Sequence, residues 1–273
     1  MKPINSRART GLVAIGVLTV LIWQPGLHWA VALLTGVIGL FGMREYCRMG
    51  TEQGFHVPLV FAMTMIACII AAGMTGPSVF PARALYVMIL CLWGAFTIQM
   101  LYKGYEGAYR NTAALLAGVV YIGLPLSLAL QILQVDRIFL MFGLALVWSS
   151  DSGAYFVGRK FGSHKFAPNL SPKKSVEGLV GGIAANVLLA CLFKWFVAAA
   201  AFDFSWGETL LLALAIGLIA PVGDLAESVL KRDSGRKDSG HSMGGHGGVL
   251  DRIDSLLFCF PALYLFLRGT GRL

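Results

Sequence analysis

ETLLLALAIGLIAPVGDLAESVL, residues 208–230, runs into KRDSGRKDSGHSMGGHGGVLDRID, residues 231–254, and then into SLLFCFPALYLFL, residues 255–267. The flanking stretches are apolar; the middle one is charged and glycine-rich. About 20 apolar residues suffice to cross a hydrocarbon core as a helix. A backbone in lipid must satisfy its own hydrogen bonds, which helices do. Apolar runs recur along all 273 residues, of which 57% are hydrophobic and 13% charged. Soluble domains carry about 25% charged residues. The sequence therefore predicts an all-α polytopic membrane protein without a separate soluble domain.

Nine spans are expected, near residues 11–23, 27–43, 57–76, 82–101, 112–133, 137–157, 176–202, 208–230 and 250–268. The first two could form a re-entrant pair, because Trp23-Gln24-Pro25-Gly26 makes a tight turn between them. Residues 1–140 read as N-terminal transmembrane helices. Residues 141–273 read as a C-terminal transmembrane catalytic region with two basic loops, the whole forming one membrane domain. MKPINSRART resembles a signal-peptide start, but cleavage after Ala30-Val31-Ala32 would cut into the next apolar run, so an uncleaved first span is expected.

The net charge of +8 suggests cytoplasmic loops and anionic lipid headgroups rather than nucleic acid. Basic residues collect at Lys2, Arg7 and Arg9, at Arg44 and Arg48, at Lys103 and Arg110, at Arg159 to Lys174, and at Lys231 to Lys237. These are the N-terminus and the even-numbered loops of a nine-span chain. All of them are expected on the cytoplasmic side. Asn169-Leu170-Ser171 is a glycosylation pattern in the most basic of those loops and is discounted. The five cysteines show no metal or disulfide spacing and are expected to be buried free thiols.

Carboxylates at span ends are costly in a bilayer and are functional candidates for that reason. Asp151 closes the sixth span, Asp224 and Glu227 end the eighth, and Asp251 and Asp254 open the ninth. Each pair is three residues apart and shares a broad helix face. Acids converging at one mouth repel unless a cation intervenes, and oxygen-only ligands suit Mg²⁺, Mn²⁺ or Ca²⁺. Ion pairing with Lys231, Arg232 or Arg252 is the plainer reading of any one of them. The glycines at 244, 245, 247 and 248 would let backbone amides approach phosphate oxygens, with Lys231, Arg232 and Lys237 nearby. Lys173 and Lys174 precede a helix that Ser175 is expected to cap, and a helix N-terminus favours anions. Gly153 to Lys160 lacks the order of a nucleotide-binding P-loop. His28 and His56 carry no assigned role.

The run SVLKRDSGRKDSGHSMGGHGGVLDRID, Ser228 to Asp254, resembles the signature of phosphatidate cytidylyltransferases, also called CDP-diacylglycerol synthases. Met243 and Gly244 depart mildly from it. DSGAYFVGRKFGSHKFAPNLSPKKSVEG, from Asp151, and GDLAES are similar to further family segments; the first 140 residues share only hydropathy and a basic stretch near Arg44-Glu45. The resemblance implies CTP plus phosphatidate giving CDP-diacylglycerol and pyrophosphate, in phospholipid biosynthesis. It implies a Mg²⁺-dependent homodimer in the bacterial inner membrane with its site facing the cytoplasm. A pair of metal ions and a monovalent cation are its candidate cofactors. The catalytic group expected from it is Asp224, Asp251, Asp254, Lys173 and Lys174. The first three would hold metal, with Glu227 and Asp151 as further ligands. Lys231, Arg232, Lys237, His246, Gly247, Gly248, Arg252 and Ser171 would bind substrate. His246 is expected to shape the loop or hydrogen-bond a phosphate rather than act as a base, because a phosphomonoester is already ionised at neutral pH. The alternatives are an ion transporter running through the carboxylates, which would not need a glycine-rich loop, and another CTP-dependent lipid-phosphate enzyme such as a lipid kinase. The DG…AR…G…D…D pattern of CDP-alcohol phosphotransferases is not found.

Overall fold

The computed structural model describes residues 6–197, 202–240, 242 and 247–273, with side chains from residue 15 onward. The described residues form helices: α1 Ser6–Trp23, α2 His28–Glu52, α3 Leu59–Gly73, α4 Phe80–Tyr102, α5 Ala108–Gly118, α6 Leu124–Val135, α7 Arg137–Phe161, α8 Val176–Phe196, α9 Trp206–Asp233 and α10 Leu250–Gly269. A π turn, Val119–Gly123, joins α5 to α6 in one rod. No strand occurs among the described residues, only an isolated bridge between Lys165 and Ser175.

Among the described residues six helical segments are long and apolar enough to cross a membrane: Pro25–Glu52, Phe80–Tyr102, Ala108–Val135, Arg137–Phe161, Val176–Phe196 and Trp206–Asp233. The sequence predicts nine spans. Two of the others fall short for physical reasons: α3 is apolar but has 15 residues, and α10 opens on Asp251, Arg252 and Asp254. α1 and α2 are separate helices joined by a 3-10 turn over Pro25–Leu27.

Close packing concentrates where the site lies. α7 and α8 cross at small residues: a Cβ on Gly153 would come within 2.6 Å of the Gly181 carbonyl oxygen and of Ala185 Cβ. Small residues at a crossing let backbones approach closely, which is how helices associate in lipid, where the surrounding tails are as apolar as the helices themselves. α9 packs against both α8 and α10, so the ends of α7, α8, α9 and α10 meet. A Cβ on Gly223 would stand 2.7 Å from the Asp254 carbonyl oxygen, and this fixes the crossing of α9 and α10 beside Asp224. The helix ends away from those acids are sealed by Phe139, Phe142, Phe193, Phe202 and Phe204, whose rings stack or meet edge to face.

All five cysteines are free. Cys47, Cys91 and Cys259 are buried and Cys191 is half-buried, but Cys68 is exposed on α3. The expectation of buried thiols is thus corrected at Cys68, which occupies an outward position on an apolar helix.

Candidate active site

Lys173 and Lys174 are brought to the acids by the loop between α7 and α8. Ser175 caps α8, accepting the Gly178 amide at 3.2 Å as the sequence predicts. Glu177, in the first turn, accepts His164 Nδ1 at 2.6 Å, and the Val176 amide donates to the His164 carbonyl at 2.8 Å. The loop is therefore folded back on the helix start. From there Lys174 Nζ reaches α9, 3.0 Å from Asp224 Oδ2 and 3.0 Å from the Pro221 carbonyl oxygen. Arg232 closes the other side by donating Nε to the Leu170 carbonyl at 3.3 Å, which ties the loop before α8 to the end of α9.

These elements enclose a cavity of about 800 Å³. Its wall carries Asp151, Asp224, Asp251 and Asp254 together with Lys173, Lys174, Arg159, Lys165 and Ser171. The basic loop before α8 and the carboxylates do converge. A second cavity, of about 730 Å³ and mainly apolar, lies between the end of α2, the loop after it and α3–α5, and holds none of the predicted site residues.

The acids divide into two sets. Asp151, Asp224 and Asp254 stand near enough to repel one another, with Lys174 as the neighbouring cation. Glu227 and Asp251 instead share Lys231, whose Nζ lies 2.5 Å from Glu227 Oε2 and 2.7 Å from Asp251 Oδ1. Glu227 is fully buried and does not line the cavity. Asp251 Oδ2 accepts the Ser239 amide at 3.0 Å, the Ser239 hydroxyl at 3.0 Å and the Gly248 amide at 2.9 Å. Asp251 is thus an organiser of the loop as well as a cavity residue.

Of the other predicted residues, Lys231 is buried in the ion-pair cluster, Lys237 and Arg252 are exposed, and Gly247 adopts φ +84° beside Asp251. His246 and His241, with Gly244 and Gly245, lie outside the described residues. The residue missed by sequence reasoning is Glu45 of α2. It is buried and accepts the Ser239 hydroxyl at 3.0 Å, the Val249 amide at 3.0 Å and the Leu250 amide at 2.9 Å.

Among the described residues no group of three or more His, Cys, Asp or Glu side chains is placed to hold a metal ion by itself. The donor set nevertheless fits Mg²⁺. It is made of hard oxygens around one cavity, and Mg²⁺ is usually held by one or two carboxylates plus substrate phosphates and water.

Fold and site together define a helical membrane protein with a charged cavity where the ends of its helices meet. The chain belongs to the cytidylyltransferase family, whose profile matches residues 5–269, and is thereby placed among nucleotidyltransferases. Named relatives agree. A phosphatidate cytidylyltransferase of Bacillus subtilis (strain 168) is 36% identical over 187 residues, covering 67% of this chain and 66% of that protein. One from Staphylococcus aureus (strain COL) is 28% identical over 269 residues, covering 96% and 98%. Another, from Staphylococcus epidermidis (strain ATCC 12228 / FDA PCI 1200), is 29% identical over 273 residues, covering 97% and 99%.

Proposed function

We propose that this chain is a phosphatidate cytidylyltransferase, converting CTP and phosphatidate into CDP-diacylglycerol and pyrophosphate. The observation that carries the reading is the cavity itself. Its wall carries Lys173 and Lys174 together with Asp224 and Asp254, where the ends of long apolar helices meet. A water-soluble polyanionic nucleotide and a lipid headgroup need such a boundary.

A phosphate oxygen of phosphatidate attacks the α-phosphorus of CTP. The new P–O bond forms as the bond from the α-phosphorus to the bridging oxygen breaks, and pyrophosphate leaves with that electron pair. No proton has to be removed from the nucleophile, which is ionised at neutral pH. Lys173 and Lys174 draw the anions together and offset charge; positioning and electrostatics carry most of such a transfer. Asp224 and Asp254, with Asp151 and Asp251 on the same wall, would hold Mg²⁺. When bound, the ion neutralises phosphate charge and orients the two anions. Glu227 and Asp251 keep Lys231 in their ion-pair cluster, while Arg232, Lys237 and Arg252 with Ser171 and the Gly247 amide supply further anion contacts. His246 contributes a hydrogen bond rather than a base.

The same reading places the long apolar helices across a bacterial inner membrane, with the basic loops and cavity on the cytoplasmic side. It takes the working form to be a homodimer. The test is to incubate the purified protein with CTP, phosphatidate and Mg²⁺ and to identify the lipid product by mass spectrometry. CDP-diacylglycerol formed only when all three are present supports the reading; its absence from folded protein overturns it.

A further inference from the structure

Helix α10 starts without a cap of its own. Its N-cap residue is Val249, whose aliphatic side chain cannot accept a hydrogen bond. The first amides of a helix have no partner within it, and burying them unpaired is costly. Here they are served from another helix. Glu45 of α2 accepts the Val249 amide through Oε1 and the Leu250 amide through Oε2. Its negative charge also complements the positive end of the α10 dipole.

The contact continues into the site. The Ser239 hydroxyl lies 3.0 Å from Glu45 Oε2 and 3.0 Å from Asp251 Oδ2, so its one proton is within reach of both carboxylates. Asp251 in turn holds Lys231. The loop is built to admit Glu45: a Cβ on Gly240 would lie 2.7 Å from Glu45 Oε1, and one on Gly248 would lie 2.5 Å from Oε2 and collide with the Ser239 hydroxyl. These two glycines are therefore explained by a side chain in the protein, not by a phosphate.

We propose that Glu45 is a positioning residue for the reaction: it fixes the glycine-rich loop and the first turn of α10, and through them the orientation of Asp251, Lys231 and Asp254. The inference rests on the cytidylyltransferase reading for its activity readout but not for its structural one.

Glu45→Gln keeps the shape but turns an amide NH₂ toward backbone donors. The full-length variant should fold and give monodisperse protein in detergent. Its kcat should fall about ten- to a hundredfold, the range for residues that orient active groups from behind. Hydrogen exchange should quicken in peptides covering 239–254 and stay unchanged in α7 and α8. Wild-type kcat in this variant, or faster exchange spread through the whole chain, overturns the inference. Should Glu45→Gln not fold, Ser239→Ala removes the hydroxyl that bridges Glu45 and Asp251 while keeping both carboxylates and the Ser239 amide on Asp251. It must then lower kcat at least about threefold with exchange changed only in the same segment, and an unchanged kcat overturns the inference. A wild-type protein that forms no CDP-diacylglycerol overturns the functional reading instead, and exchange in 239–254 still decides whether Glu45 holds the loop.

Discussion

Lys174 Nζ, on the loop before α8, stands 3.0 Å from Asp224 Oδ2 on α9. Fifty residues of sequence separate them, and their meeting joins a basic loop to a carboxylate helix at the cavity wall. Asp224→Asn keeps the size and removes the charge. The substitution leaves Lys174 its bond to the Pro221 carbonyl, so the fold should persist. Turnover should fall by at least about a hundredfold, as for loss of a group that stabilises charge in a transition state. Steady-state kinetics on membrane-inserted protein check this, and activity within a few-fold of wild type would remove Asp224 from the site.

Glu227→Gln should act mainly on stability. Glu227 is fully buried against Lys231, and removing one partner of a buried pair costs about 3–5 kcal/mol. Asp251 remains as a second partner for Lys231, which puts the loss near the lower end. A clear fall in the detergent-solubilised unfolding midpoint is expected. An unchanged midpoint would show that the pair carries no net stability.

Gly248→Ala tests the crowding of the loop. Its new methyl group would press on Glu45 and Ser239, so the loop must shift. The expected result is a loss of about ten- to a hundredfold in kcat with little change in yield. Wild-type kinetics would show that the loop accommodates the methyl group without cost to the site.

The shared side of the two basic segments can be read by labelling. Single cysteines replacing Ser163 and Asp238, both exposed, go into a background lacking the five native cysteines. Both should react with an impermeant thiol reagent from the cytoplasmic side only. Labelling from opposite sides would separate the two segments and dissolve the common cavity.

Much of this was legible in the sequence because the informative spacings are local. Ser175 before an apolar run announces its cap, and the alternation of greasy runs with basic segments announces the helices and the meeting of their ends. The pairing of Asp224 with Glu227 was legible only as a shared face. Residues three apart sit about 60° from one another around a helix, enough for Asp224 to reach the cavity while Glu227 turns inward to Lys231. Glu45 left no local signal. It stands between Arg44 and Tyr46 in the basic second half of α2, and its partners Val249 and Leu250 lie about two hundred residues away. Only the packing of α2 against the start of α10 shows what it does.

The central claim is that the α-phosphoryl group of CTP, with its cytidine, moves to a lipid phosphate in the cavity between α7, α8, α9 and α10. Purified protein in mixed micelles with phosphatidate and Mg²⁺ should be given CTP labelled either at the α- or at the γ-phosphate. The account predicts that α-label enters the lipid fraction, that γ-label leaves as pyrophosphate, and that chelating Mg²⁺ abolishes both. Transfer of γ-label to lipid, or no lipid labelling from either nucleotide by folded protein, would contradict it.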